Sequence, residues 1–209
     1  MLFIKNYMHE LKSMIKQFIL YFVLLLAISG CKKDPQIIHK VLDIKAGDST
    51  SPGVHYVRVN YTFNGWSNAA YLLDIDKTNP YDFYFSYYYY SSFSQYGYGL
   101  SADPASPNKS AFVYLDSVGY PIPLQTGELI SDTLHWVNNK SNISFYEVSV
   151  VSVPGQKGYN SGLWYNIPEG YLAFKIVDKK TSLTYKGWIK IVQKFSVSSE
   201  INGYAYVVY

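Results

Sequence analysis

Four candidate oxygen ligands within nine residues form the part of the chain best suited to bind a cation. The segment reads Asp74-Ile75-Asp76-Lys77-Thr78-Asn79-Pro80-Tyr81-Asp82, and a tight loop with oxygens at alternate positions is what a hard ion such as Ca²⁺ requires. The candidate calcium ligands are Asp74, Asp76, Thr78 and Asp82. Lys77 adds a positive charge, and Phe85 stands where an EF-hand has its bidentate glutamate. A plain turn between two strands is therefore the alternative.

Tyrosine is unusually frequent, with 23 residues in a chain of 209, and residues 87–90 are all tyrosine. Successive side chains of a strand point to opposite faces, so two of these four tyrosines must point away from the core. A tyrosine ring can stack on a sugar or anchor a protein partner. The candidate ligand platform consists of Tyr84, Tyr88, Tyr90, Tyr96, Tyr98 and Trp164. The alternative is that these aromatic residues are structural.

Catalytic arrangements have little support in the sequence. The chain contains no HExxH, GxSxG, Walker or glycine-rich dinucleotide motif. A glycosidase needs two facing carboxylates, and the sequence alone does not show which acidic residues face each other. The candidates for such a pair are Asp116, Glu128, Glu147 and Glu169. We therefore assign no catalytic residue and expect a protein that is not an enzyme.

The N-terminus has the features of a lipoprotein leader. Residues 18–28 are an unbroken apolar run of 11 residues, which is too short to span a bilayer. Basic residues before the run and small residues after it are typical of a secretory signal peptide, here 1–30. The single cysteine, Cys31, follows Ile28-Ser29-Gly30, which resembles the bacterial lipobox. Cys31 is therefore predicted to be lipidated and to anchor the chain to a membrane; an ordinary secreted protein or an uncleaved helix is the alternative.

Charge and the residues after Cys31 bear on location and partners. Lys32 stands where the inner-membrane retention signal of enteric bacteria has Asp, which favours the outer membrane. The stretch Lys32-Lys33-Asp34 resembles the surface-export tether of Bacteroidota-type lipoproteins, although a simple linker would look the same. The surface and the periplasmic face of the outer membrane both stay open. Beyond residue 30 the chain has 15 basic and 14 acidic side chains, so no nucleic-acid partner is expected.

From residue 32 onward the apolar pattern has a period of two, as in half-buried strands. Val57, Val59 and Tyr61 alternate with polar residues, and so do Phe83 and Phe85. Strands are predicted at about 36–45, 56–63, 69–75, 83–90, 110–116, 128–137, 142–153, 170–178, 183–193 and 201–209. The apolar phase slips in the strand at 142–153, which predicts a bulge near Phe145. The turn-rich segments 91–109 and 154–162 are predicted to be surface loops.

This pattern predicts an all-β fold, an antiparallel β-sandwich or jelly roll, preceded by the lipoprotein signal peptide. The expected organisation is a signal peptide at 1–30, the lipidated cysteine and a linker at 31–36, and one domain at 37–209.

Three short segments resemble a group of uncharacterised exported or lipid-anchored β-rich bacterial proteins. Residues 74–83 resemble their Asp-x-Asp-x-Asp-Gly-x-x-Asp-Phe element. Residues 185–190, Tyr-Lys-Gly-Trp-Ile-Lys, are similar to their Tyr-Gly-Trp-(Ile/Val)-(Arg/Lys) segment, and residues 203–206 to their closing Tyr-Ala-Tyr strand. Thr78, Asn79 and Lys186 depart from the pattern. The resemblance implies a β-sandwich-like fold and export, and it brings no established activity.

Together these features predict an outer-membrane lipoprotein that binds a glycan or a protein at the cell envelope without catalysis. A structural or assembly component of the envelope is the main alternative, and a glycan-active enzyme is a third. Apart from the Ca²⁺ considered above, no cofactor is expected.

Overall fold

The computed structural model describes residues 16, 43–64, 68–78, 81–92, 95–104, 109–138, 143–151, 156–194 and 198–209. Apart from Lys16, the predicted signal peptide lies outside these residues, as do Cys31 and the linker. The chain divides into the units Met1–His39 and Lys40–Tyr209, and all the described strands belong to the second. No helix among the described residues is both long enough and apolar enough to cross a membrane.

The second unit is built from thirteen strands. They are β1 (Ile44–Lys45), β2 (His55–Phe63), β3 (Ala69–Leu73), β4 (Phe83–Ser91), β5 (Gln95–Pro104), β6 (Lys109–Tyr114), β7 (Leu129–Ile130), β8 (Trp136–Asn138), β9 (Ile143–Val151), β10 (Tyr159–Ser161), β11 (Glu169–Asp178), β12 (Thr184–Gln193) and β13 (Ser199–Val208). Every pairing between them is antiparallel. The prediction of an all-β, antiparallel fold is confirmed.

The strands form two large sheets and a small one. The five-stranded sheet has the order β10-β9-β5-β4-β3, and the six-stranded sheet has the order β2-β13-β12-β11-β6-β8. β1 and β7 form a separate two-stranded ribbon. Five of the twelve consecutive strand pairs are neighbours in a sheet, namely β3-β4, β4-β5, β9-β10, β11-β12 and β12-β13, and turns can join such antiparallel strands directly.

One hydrophobic core is shared by the two large sheets. It includes Phe83 and Phe145 from the five-stranded sheet and Phe174 and Ile189 from the six-stranded sheet. The rings of Phe83 and Phe174 meet edge to face across it, with centroids 5.9 Å apart. Burying each such side chain contributes roughly 1.5–3 kcal/mol. Residues of both large sheets therefore contribute to one core.

The other face of the six-stranded sheet is covered as well. Ile44 and Ile130 from the β1–β7 ribbon pack with Leu124, Tyr171 and Trp188 in a second cluster of buried residues. The outward face of the five-stranded sheet is different, since its side chains on β4 are only partly buried and Leu72 on β3 is 51% exposed. Of the described outward faces of the two large sheets, that of the five-stranded sheet is therefore the one that is open to a ligand.

The predicted alternation and the predicted bulge are both confirmed. On β4, Phe83, Phe85 and Tyr87 are buried while the residues between them are only partly buried. On β9, Tyr146 pairs with Leu100 and Ser144 pairs with Ser101, so Phe145 is the extra residue of a bulge.

The prediction of a surface loop at 91–109 is wrong for residues 95–104, which form β5 between β4 and β9. Tyr98, Leu100 and Ala102 point into the core, and the intervening outward positions include Gly97 and Gly99. The glycines are typical of turns, but the period of two continues through them. Two smaller corrections follow: the strand predicted at 128–137 is interrupted between β7 and β8, and the predicted loop at 154–162 contains β10.

Candidate functional site

The turn between β3 and β4 brings three carboxylates together. One oxygen from each of Asp74, Asp76 and Asp82 lies within 4.8 Å of the others, and we call this group the acidic turn. Two hydrogen bonds hold its ends: the Asp82 backbone N–H donates to the Leu73 carbonyl at 2.8 Å, and the Ile75 N–H donates to the Asp82 carboxylate at 2.7 Å. The spacing of acidic residues in the sequence did predict this convergence.

Lys109, the first residue of β6, places its ammonium group in the acidic turn. Its Nζ lies 2.6 Å from Asp76 Oδ1 and 2.8 Å from Asp82 Oδ1. The lysine side chain is 4% exposed and both carboxylate side chains are fully buried. The chain itself therefore places one positive charge against two of the three carboxylates.

The pKa values of the group reflect burial and these ion pairs. Burial opposes ionisation of Asp76, but hydrogen bonds from Lys109 and Thr78 outweigh it and lower the pKa of Asp76. At Asp82 burial prevails and raises the pKa of the carboxyl. Burial also disfavours charge on Lys109, yet its two carboxylate partners raise the pKa of the ammonium. Lys109 is therefore cationic at neutral pH.

These contacts do not fit the calcium site expected from the sequence. Asp74, Asp76 and Asp82 are suitable oxygen donors, but two of them are in direct contact with an ammonium group. The fourth expected ligand, Thr78, instead donates its hydroxyl to Asp76 Oδ1 at 2.7 Å. A divalent ion could use the three carboxylates only if Lys109 left them.

A second cluster lies on the outward face of the five-stranded sheet. Tyr88 and Tyr90 of β4 pair with Gly99 and Gly97 of β5. A methyl group added to Gly97 would lie 2.3 Å from the Tyr90 ring, and one added to Gly99 would lie 2.4 Å from the Tyr88 hydroxyl. Each tyrosine side chain therefore occupies the space above the glycine opposite it, where any larger residue would clash with the tyrosine.

Glu147 of β9 is the polar centre of this face. It pairs with Gly99 on one side and with Ser161 of β10 on the other. The hydroxyl of Tyr159, a residue that is 52% exposed, donates to Glu147 Oε1. Burial and the Glu147 carboxylate raise the pKa of Tyr88, and hydrogen bonding to Glu147 and Tyr90 raises the pKa of Tyr159. Both tyrosines are thus protonated donors at neutral pH.

We call the group of Tyr88, Tyr90, Gly97, Gly99, Glu147 and Tyr159 the tyrosine surface. It combines aromatic rings, a carboxylate acceptor and tyrosine hydroxyls on the outward face of one sheet. Such a set can stack on an apolar ring face and form hydrogen bonds around that ring at the same time.

The structure separates the six aromatic residues expected to form a platform. Tyr84 lies on the same outward face as Tyr88 and Tyr90, opposite Asp103. The expectation is wrong for Tyr98, which is 6% exposed and stacks on Tyr87 in the core. The side chain of Tyr96 lies outside the described part of the structure.

The expectation is also wrong for Trp164. Its indole is fully buried against Phe145, with ring centroids 5.4 Å apart, and its Nε1–H donates to the Pro121 carbonyl at 2.9 Å. Trp164 follows Gly162 in a turn, where exposure is expected, but the turn folds its side chain into the shared core. It is therefore a structural residue.

The other acidic candidates have local roles. Asp116 accepts hydrogen bonds from the backbone N–H groups of the following turn, and Glu128 accepts one from Gln125. Glu169 pairs with Lys190 at 3.1 Å on the six-stranded sheet. These contacts position each carboxylate for a turn or an ion pair rather than opposite Glu147.

Lys186, which departs from the sequence pattern noted above, is fully buried on β12. Its Nζ lies 3.3 Å from Asp43 Oδ1 and 3.4 Å from Asp132 Oδ2, and 5.3 Å from the centre of the Tyr209 ring. Asp132 also pairs with Lys175 at 2.9 Å. This second buried lysine joins residues from both ends of the domain.

Sequence reasoning missed three parts of these sites. Lys109 comes from a strand distant in sequence from the acidic turn, and Tyr159 comes from an edge strand that was expected to be a loop. The third part is the glycine pair of β5. One signal for it existed in the sequence, since Gly97 and Gly99 alternate with Tyr98 and Leu100.

Comparison of the chain with protein-family models, with curated proteins and with solved structures finds no match.

Proposed function

We propose that the protein is an outer-membrane lipoprotein whose domain, a β-sandwich, binds a glycan without catalysis through the tyrosine surface. The lipoprotein part of the proposal is supported by the apolar run at 18–28 and by the position of Cys31 directly after it. The β-sandwich is supported by the core that the two large sheets share.

The arrangement of Tyr88 and Tyr90 over Gly99 and Gly97 is the observation that carries the glycan-binding proposal. A sugar ring has an apolar face of C–H groups and a rim of hydroxyls. Tyrosine rings on the outward face of a sheet can contact the apolar face. Glu147 and the hydroxyls of Tyr88 and Tyr159 can then exchange hydrogen bonds with the rim.

Two alternatives explain less of this surface. The centre of a protein–protein interface is usually depleted in charged residues such as glutamate, whereas here Glu147 is central. A purely structural role would account for the rings, because an aromatic side chain can cover a glycine in a neighbouring strand. It would not account for Tyr159, whose half-exposed ring reaches Glu147 from the edge strand β10.

Thermal melting of the full-length protein in detergent, with a panel of oligosaccharides, tests the binding. A bound glycan should raise the melting temperature, since it binds the folded state alone. Tyr88→Ala should abolish the rise, whereas Tyr88→Phe, which keeps the ring, should retain part of it. Tyr165→Ala removes an exposed tyrosine outside the five-stranded sheet and should leave the rise unchanged.

A folded protein that no oligosaccharide of the panel stabilises would contradict the proposal, and so would a Tyr88→Ala protein that responds like the wild type. Circular dichroism of each variant separates loss of binding from loss of folding. Labelling of producing cells with a palmitate analogue tests the anchor, and label that persists in Cys31→Ala would contradict lipidation at that residue. Protease added to intact cells then distinguishes a surface location from a periplasmic one.

A further inference from the structure

We infer that Lys109 and the acidic turn form an intramolecular amide bond, which joins Nζ of Lys109 to Cγ of Asp82. The ion pair described above is then the state that precedes this reaction. Asp82 stands directly before β4 of the five-stranded sheet, and Lys109 is the first residue of β6 in the six-stranded sheet. The bond therefore links the two large sheets covalently.

The reacting atoms are already close together. Nζ of Lys109 lies 2.8 Å from Oδ1 of Asp82. Because a C–O bond is about 1.2 Å long, Cγ lies within about 4 Å of Nζ, near the separation of about 3–3.5 Å from which two groups react. The backbone N–H of Ile75 donates to the other carboxyl oxygen, Oδ2, at 2.7 Å. It can therefore stabilise the negative charge that Oδ2 gains when the nitrogen attacks.

Asp76 is placed to move the protons. Its Oδ1 lies 2.6 Å from Nζ, so it can take one proton from the ammonium and leave a neutral amine. This amine attacks Cγ of the neutral Asp82 carboxyl, the Nζ–Cγ bond forms, and the Cγ–Oδ1 bond breaks with release of Oδ1 as water. Of the three ammonium protons, one stays on the amide nitrogen, one leaves in that water and one remains on Asp76. No oxidant or second reactant is needed.

Burial favours the neutral product over the separated charges. The lysine side chain is 4% exposed and both carboxylate side chains are fully buried, and an apolar environment disfavours ions. Burial raises the pKa of the Asp82 carboxyl, which favours the neutral acid that an amine can attack. Lys109 itself is mostly cationic, so the reaction is slow. A bond that is made once in each molecule does not need fast turnover.

Trypsin digestion of the denatured full-length protein, followed by mass spectrometry, tests the inference, because trypsin does not cut after an acylated lysine. Without the bond, cleavage after Lys109 and after the flanking lysines gives the peptides 78–109 and 110–140. With the bond, we expect one peptide, 78–140, that is not cut at Lys109 and is lighter than its sequence by one water molecule.

Two variants and a comparison within the wild type assign the roles. Lys109→Arg keeps the positive charge and removes the amine nucleophile, so cleavage at this position should return. Asp76→Asn keeps the size and removes the proton acceptor. It should leave most freshly made molecules unlinked, since a general base contributes about 10²–10⁴-fold in rate. Trypsin should cut normally after Lys175, whose carboxylate partner is 35% exposed.

Complete cleavage after Lys109 in the wild type, even after long incubation of the folded protein, would overturn the inference and leave a plain ion pair. A loss of water that persists in Lys109→Arg would do the same. A product in which peptide 59–77 is joined to 78–140 would also overturn it, because that product places the bond at Asp74 or Asp76. None of these measurements depends on glycan binding, so they test this bond separately from the proposed function.

Discussion

Replacing Lys109 with methionine should strongly destabilise the protein. The substitution keeps an apolar stem of similar length and removes the ammonium group that lies 2.6 Å from Asp76 and 2.8 Å from Asp82. The two carboxylates stay buried, and Asp74 remains close to both. Asp76 and Asp82 would then lose the ammonium group that contacts both of them.

The size of the effect follows from this burial. Removing one partner of a buried ion pair costs about 3–5 kcal/mol, because the other charge is left without compensation. For a domain of this size, each kcal/mol lowers the melting temperature by about 2–4 °C. We therefore expect Lys109→Met to melt about 6–20 °C below the wild type at neutral pH.

Calcium should stabilise the variant and not the wild type. Without Lys109, no ammonium from this lysine competes with a divalent cation for Asp76 and Asp82, and one oxygen of each of the three carboxylates still lies within 4.8 Å of the others. An ion present at ten times its dissociation constant would restore about 1.4 kcal/mol. In the wild type the ammonium already contacts two of the three carboxylates, so millimolar calcium should leave its melting temperature unchanged.

Differential scanning calorimetry of both proteins, with calcium and with a chelator, is the assay. Lys175→Met is the matched control, since its partner Asp132 is partly exposed and such pairs contribute about 1 kcal/mol or less. A Lys109→Met protein that melts within about 2 °C of the wild type would refute the reasoning, because a buried pair cannot be so weak. A wild-type protein that calcium stabilises would show that a metal, and not Lys109, balances the acidic turn.

Two further predictions concern the other sites. Burial opposes ionisation of Asp132, but hydrogen bonds from Lys175 and Tyr209 outweigh it and lower the pKa of Asp132. The ionised carboxylate therefore stabilises the fold fully above the unfolded pKa of about 3.9, and this contribution is lost as pH falls through the folded pKa. Asp132→Asn should therefore reduce stability by about 1 kcal/mol near neutral pH, and the gap in melting temperature should narrow below about pH 4 and close as pH falls through the lowered folded pKa; a gap that is constant with pH would contradict this. Gly97→Ala should keep the fold but destabilise it by about 1–3 kcal/mol, because the added methyl group pushes the Tyr90 ring away. Glycans should also stabilise this variant less than the wild type. A variant whose melting temperature equals that of the wild type, both with and without glycan, would contradict this.

Much of the fold could be predicted because the relevant signals are local. The inward residues of β4 are large and apolar at every second position, and the three acids of the acidic turn lie within nine residues. Proximity along the chain was enough to bring Asp74, Asp76 and Asp82 together.

The remaining features depend on contacts between distant residues. The strand β5 was missed because Gly97 and Gly99 have no side chains of their own and are covered by Tyr88 and Tyr90 of the neighbouring strand. Lys109 reaches the acidic turn because β6 begins beside it. The hydrophobic pattern of a single segment does not show which distant residues that segment will contact. The burial of Trp164 could not be predicted for the same reason.

The β1–β7 ribbon also has a mechanical consequence. Among the described strands, β1 pairs with β7 alone, through Ile44 and Lys45, and Asp43 just before it contacts Lys186. A pull on the chain ahead of Asp43 would load this short ribbon and this ion pair first. No described residue of the core shared by the large sheets belongs to β1. Under tension the β1–β7 ribbon would therefore open first, while the five-stranded sheet that carries the tyrosine surface stays folded.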